Sequence, residues 1–228
     1  MDIRPILMTL RRHKFTACLL ILEIALTCAI ICNGIFLINQ RLEGMRIVSG
    51  IAERELVYVQ TGYIGDRPDA PARVAADVAA LRSIPGVQSA TLLNQEPFDD
   101  GSDNVGVRAT LTQREDSLNA AMYRGEDLLH VLGAQLVEGR DFRPEEYQPL
   151  YVVAEELQNG EMAKLHAPVI VSRAVADRLW PGQEALGKQL YIGDVPLTVI
   201  GVVGTLIRPS QMQFANGAQY SIVTPIQE

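Results

Sequence analysis

The side chains best suited to chemistry are few, and their spacing is the first test of them. Two carboxylate doublets, Glu145-Glu146 and Glu155-Glu156, are the residue type used as paired general acid and base. Charged neighbours of this kind belong more readily to a solvated surface. Three histidines stand apart from one another at His13, His130 and His166. None neighbours a cysteine, and neither H-x-x-x-H nor G-x-S-x-G occurs, so no zinc site or nucleophile elbow is indicated. Cys28 and Cys32 lie four apart, on one face of a helix, but no histidine accompanies them within their apolar run, and they read as small packing residues. Gly187-Lys188 lacks the preceding glycine and the following Ser or Thr of a phosphate-binding loop. The GVVG stretch, Gly201 to Gly204, sits among β-branched residues, where glycine permits a bulge or close packing. The sequence therefore assigns no catalytic, cofactor-binding or metal-ligating residue.

The strongest physical signal is instead an element, FTACLLILEIALTCAIICNGIFLI, residues 15–38. Its 24 residues hold one charged side chain, Glu23. As a helix they span roughly 36 Å, enough to cross a hydrocarbon core of about 30 Å with some tilt. The run is longer than the apolar part of an export signal, and no small-x-small cleavage site follows it. A retained transmembrane helix is expected. Residues 1–14 carry Arg4, Arg11, Arg12 and Lys14 against Asp2 alone, which places the N-terminus in the cytoplasm and the remainder outside it. Ile3, Ile6, Leu7 and Leu10 share one face, as in a short amphipathic segment resting on membrane lipid.

The apolar helix also carries two stripes. Ala25, Cys28, Ala29, Cys32 and Asn33 form one of small or polar residues; Glu23, Thr27 and Gly34 form another on the opposite side. Small residues let helix backbones approach, and a carboxyl group facing lipid is costly, so both stripes predict neighbouring helices. No second apolar run of this length occurs in the sequence, so the neighbours are expected from other chains or from a continuation.

Beyond Ile38, 190 residues carry 16 basic and 25 acidic side chains and no cysteine. A formal charge of about −9 argues against a nucleic-acid surface, and the region forms no disulfide. A connector over 39–54 precedes a domain over 55–228. Glu55–Gly62 alternates as a strand, Ala72–Ile84 is helical and stopped by Pro85-Gly86, and VQSATLLNQ returns as a strand, giving a β-α-β unit. NVGVRATL, LNAAMYRG and AQLVEG read as strands, with a helix near Glu126–Leu132. Residues 139–168 show little period and read as irregular with one short helix. Val169–Val171 is extended, Ser172 is an N-cap, and Ala174–Trp180 is helical with Pro181-Gly182 as its stop. KQLYIG and PLTVIGVVG form a hairpin around Gly193-Asp194, and QYSIVTPI is the last strand. The fold class is mixed α/β (α+β), with one transmembrane helix followed by two intertwined subdomains.

Several of these stretches together resemble a known family. PVIVSRAVADRLWPGQEALGKQL, preceded by LVEGRDFRPEE and followed by VIGVVG, resembles the periplasmic core of MacB-like ABC-transporter permeases. SIPGVQSATLLNQEPF, TLRRHKFTACLLILEIALTCAII and QYSIVTPIQE resemble other parts in the same order. Trp180 stands where Phe is commoner, and Ala185 where Pro is frequent. The resemblance implies an inner-membrane permease of MacB/FtsX type with four transmembrane helices, the periplasmic domain lying between the first two. It further implies a permease dimer, a cytoplasmic ABC ATPase that carries out the hydrolysis, and a periplasmic adaptor with an outer-membrane channel. Efflux, lipoprotein extraction and control of cell-wall hydrolases are the tasks it brings with it. On this reading the chain is the first helix and periplasmic domain of a non-catalytic component. The competing expectation is a single-pass anchored binding or sensor module without transport.

Overall fold

Helix-favouring residues at Lys14–Gly44 form a single 31-residue helix, α1, roughly 46 Å long. The computed structural model describes residues 13–44, 46–62, 70–99, 101–159, 167–210 and 217–227. The amphipathic segment expected over 1–12 and His166 lie outside them. Residues Lys14–Leu42 are long and apolar enough to cross a membrane, by length and composition. Leu19, Ile24, Ile30 and Phe36 are each more than half exposed, which only an apolar surrounding makes inexpensive.

From Val48 onward the chain forms one compact unit. Its first helix, α2 (Ala70–Arg82), ends two residues short of the expected Ile84, ahead of the Pro85-Gly86 stop. The strands follow: β1 (Asn104–Arg108), β2 (Leu118–Arg124), β3 (Leu136–Gly139), β5 (Ala167–Ser172), β6 (Gln189–Ile192), β7 (Val195–Val203) and β8 (Ser221–Thr224). They join one mixed sheet in the order β3-β7-β5-β8-β2-β1-β6, and β6 pairs with β7 as well as with β1. The second pairing closes six of the strands into a ring. Arg108 fastens the closure: its guanidinium donates to the Gln113 carbonyl at 2.9 Å and to the Gly193 carbonyl at the β6–β7 turn. β4 (Gln148–Pro149) and β9 (Ile226–Gln227) form a separate parallel pair.

Two apolar clusters use the period-2 alternation of the same strands. Val169 and Val171 of β5 and Ile222 of β8 enter one cluster, while Ile170 and Val223 enter the other. On β7 the alternation is broken by a bulge: Val199 pairs with Val169, but Ile170 pairs with Gly201. The extra residue, Ile200, lets Val199 and Val202 reach the first cluster and Val203 the second. The mixed α+β class is thus realised with two cores threaded by common strands. Helix α5 (Arg173–Leu179) covers the first with Val175, Ala176, Leu179 and the following Trp180. Its N-cap is Ser172, as expected; Oγ accepts from the Val175 amide at 3.4 Å and donates to the Gln219 carbonyl at 2.6 Å. Helix α3 (Leu128–Leu132) covers the second.

Three sequence expectations are corrected. Glu55–Gly62 is not a strand: Glu55 is in a turn, the rest has no ladder partner among the described residues, and Val57 is 86% exposed. VQSATLLNQ has only the isolated bridge Leu93–Gly125, so the β-α-β unit does not form. Side-chain amides replace the ladder there. Asn94 Nδ2 and Gln95 Nε2 each donate to the Met122 carbonyl at 2.9 Å, and Asn94 Oδ1 accepts from the Arg124 amide at 2.8 Å. Third, the stretch read as irregular with one short helix holds that helix, the nine-residue α4 (Leu150–Gln158), and in addition a 3₁₀ turn (Pro144–Glu146) and β4.

Candidate functional site: the apolar helix and the clip that follows it

Among the described residues, those with chemical potential do not come together as an active centre, and each has a structural task or an open surface. Glu146 receives a fork from Arg140, Nη1 to Oε2 at 2.7 Å and Nη2 to Oε1 at 2.6 Å, while Oε2 also accepts from the Arg143 amide at 2.8 Å. The hydrogen bonds from Arg140 hold its carboxyl below the usual glutamate range. Glu145 and Glu155 are exposed and Glu156 half-buried. Burial pushes Asp141 the other way, up from the usual carboxylate value. His130 is exposed. Among the described residues no group of three or more His, Cys, Asp or Glu side chains could hold a metal ion.

The glycine motifs resolve as packing devices. Lys188 lies 5.5 Å from the centre of the Trp180 ring and donates to Gln183 Oε1 at 2.6 Å, so the Gly-Lys pair closes a turn over the tryptophan. Trp180 and Ala185, the two departures from the family pattern, are both buried in the first cluster. At Gly201 a Cβ would lie 2.6 Å from the Arg140 carbonyl and 2.9 Å from Leu136 Cδ1, the close approach expected of the GVVG stretch.

On α1 the packing candidates occupy one continuous helix. Glu23, Ala25, Thr27, Cys28, Ala29, Cys32 and Asn33 are exposed and Gly34 is partly so. At 100° per residue Glu23, Thr27 and Gly34 fall within about 40° of one another, and the other five lie on the far side. The Thr27 hydroxyl donates to the Glu23 carbonyl at 2.8 Å, so it is satisfied within its own helix.

Sequence reasoning missed what lies just past this helix. The Val48–Glu55 segment is stitched into the C-terminal unit. The Ser49 carbonyl accepts from the Ile207 amide at 2.9 Å, and the Ala52 amide donates to the Leu132 carbonyl at 2.8 Å. Gly50 has φ +75°, and a Cβ there would fall on the Thr205 carbonyl. Ser49 is buried and its hydroxyl donates to Glu53. The receiving stretch, Leu206–Arg208, is at most 1% exposed. Ile207 uses both its backbone groups, because its carbonyl accepts from the Tyr123 hydroxyl at 2.7 Å. Arg208 donates to the Asn119 carbonyl at 2.7 Å and to Asn104 Oδ1 at 3.3 Å. Burial dominates the titration of both long side chains, raising the Tyr123 phenol above its ordinary value and lowering the Arg208 guanidinium. The Gly50 in a turn-forming Val-Ser-Gly run was the one sequence signal available.

Comparison with known proteins places this architecture. Residues 34–228 match the family described as MacB-like periplasmic core domain, which takes in the end of α1 and the whole C-terminal unit. The chain belongs to that family. Two solved structures are similar. One is the extracellular domain of the noncanonic ABC-type transporter YknZ from Gram-positive bacteria, at 17% identity and TM-score 0.38 over 66% of this chain and 60% of that one. The other is the periplasmic region of MacB from Actinobacillus actinomycetemcomitans, at 18% identity and TM-score 0.40 over 66% and 54%. The chain thus spans 60% and 54% of the lengths of those two. No curated protein matches it. The chain thus joins a MacB-like periplasmic core domain, the domain of ABC-transporter permease-type proteins, to a helix long and apolar enough to cross a membrane.

Proposed function

We propose that the chain is the membrane-anchored periplasmic part of a MacB/FtsX-type permease. In this role it passes the motion driven by a partner ATPase from the membrane helices to the MacB-like domain. The N-terminus is cytoplasmic, the domain periplasmic, and ATP hydrolysis belongs to a separate subunit. The permease is a dimer, and a periplasmic adaptor with an outer-membrane channel receives the cargo. Glu23, Ala25, Thr27, Cys28, Ala29, Cys32, Asn33 and Gly34 pack α1 into the helix bundle.

The observation that supports transmission most directly is how little sequence separates the helix from the domain. Helix α1 ends at Gly44 and the compact unit begins at Val48, which leaves only residues 45–47 between them. Three residues carry a displacement with little slack, whereas a long Gly/Ser linker behaves as a random coil. The test inserts about fifteen Gly/Ser residues after Arg46 in the assembled permease, a coil of about 21 Å end to end. Transport should collapse while ATPase activity continues and the domain stays folded. Undiminished transport would make the domain a tethered binding module, the competing reading.

A further inference from the structure

The chain that leaves the membrane helix could be fastened to any part of the MacB-like domain, and the structure selects an interior point. Ile207 is fully buried, its amide donates to Ser49 at 2.9 Å, and its carbonyl accepts from Tyr123 at 2.7 Å. Tyr123 stands on β2, which is paired on both sides: antiparallel to β1 and parallel to β8. The next residue, Arg208, donates its amide to the Ala218 carbonyl at 2.9 Å and its guanidinium to Asn119, also on β2. A second hold, Ala52 on Leu132, reaches the end of α3. A displacement at Val48 is therefore received by a strand in the middle of the sheet and not by a sheet edge.

We propose that Ser49–Ile207–Tyr123 is a single latch that fastens the segment leaving α1 to the centre of the sheet, with Tyr123 as its positioning residue. Its use in transmission rests on the permease reading; the latch itself does not. The physical argument is cooperativity. Ile207 is held from both sides in a site without solvent, so losing the Tyr123 hydroxyl leaves a buried carbonyl unsatisfied and frees Ile207 to move off Ser49. Spatial continuity alone does not establish coupling, so the test measures coupling.

Hydrogen exchange is compared in the full chain, in lipid nanodiscs, for the wild type, Tyr123→Phe, Gly50→Ala and the double variant. Gly50→Ala forces the clip from the opposite side by driving a Cβ onto Thr205. Each single change should speed exchange of the Ile207 and Ala52 amides roughly tenfold or more. The amide of Gly187, bonded to the Val199 carbonyl at 2.8 Å, and that of Val199, bonded to the Lys188 carbonyl at 2.9 Å, should keep their rates. The double variant should depart from the product of the two single accelerations, since residues held in one hydrogen-bonded network couple. Unchanged rates at Ile207 and Ala52, equal acceleration at Gly187 and Val199, or additive effects in the double variant would each overturn the latch. If Tyr123→Phe does not fold, Gly50→Ala alone decides: acceleration that reaches the Arg208 amide supports the latch, and acceleration confined to Ile207 refutes it. No ATPase is present in this experiment, so its failure removes the latch while the permease reading stands or falls by the Gly/Ser insertion.

Discussion

Single residues in this chain are read wrongly when their type is considered without their partners. Glu146 is half of an acidic doublet in sequence and the receiver of an arginine fork in the fold. Its carboxyl is held below the ordinary value of 4.5, so it contributes stability above that pH and loses the contribution as the pH falls through the lower folded value. Both partners are partly exposed, which limits the contribution to about 1 kcal/mol. Glu146→Gln should therefore lower the urea midpoint at neutral pH, and the difference from the wild type should close as the solution is acidified below the glutamate range. A constant difference across the titration would show that the lost contact is one of shape and not of charge. Asp141 runs the other way. Burial raises its pKa, so its charged form is the costly one and acidification relieves that cost.

At the scale of elements, β7 and α1 carry the sharpest expectations. The bulge at Ile200 lets one strand serve both apolar clusters, and Gly201 fits against Arg140 and Leu136 only because it has no Cβ. Gly201→Ala should cost about 1–3 kcal/mol through overpacking, read as a lower urea midpoint with an unchanged slope. Helix α1 is tested by Glu23→Leu in the permease. Insertion into the membrane should be intact, while assembly weakens by about 1 kcal/mol as an interhelical polar contact is lost. Unchanged association, measured by crosslinking in membranes, would leave Glu23 merely reaching toward the interface.

For the whole molecule the open quantity is orientation. Arg4, Arg11, Arg12 and Lys14 precede the apolar helix, and beyond Ile38 the chain is acidic at about −9. Reporters fused after Gln40 and at Glu228 should both be active only in the periplasm. Cytoplasmic activity at either site would reverse the topology and with it the direction in which motion is passed.

The sequence by itself determined the features whose signal is local. A 24-residue apolar run needs no tertiary partner to be a membrane-length helix. Ser172 caps α5 through an amide three residues away, and Pro85-Gly86 stops α2, because caps and stops act within one turn. The β6–β7 hairpin was legible for the same reason. Tertiary structure decided whatever depends on a distant partner. Alternation in Glu55–Gly62 marks a chain able to be a strand, but no described strand pairs with it. Asn94 and Gln95 took ladder bonds from β2 that the sequence assigned to backbone, since amide side chains mimic peptide groups. The closure of the sheet through β6, the bulge at Ile200 and the Ser49–Ile207–Tyr123 contacts join residues up to 158 positions apart, from Ser49 to Ile207. No sequence period encodes such pairings; burial of the two clusters fixes them.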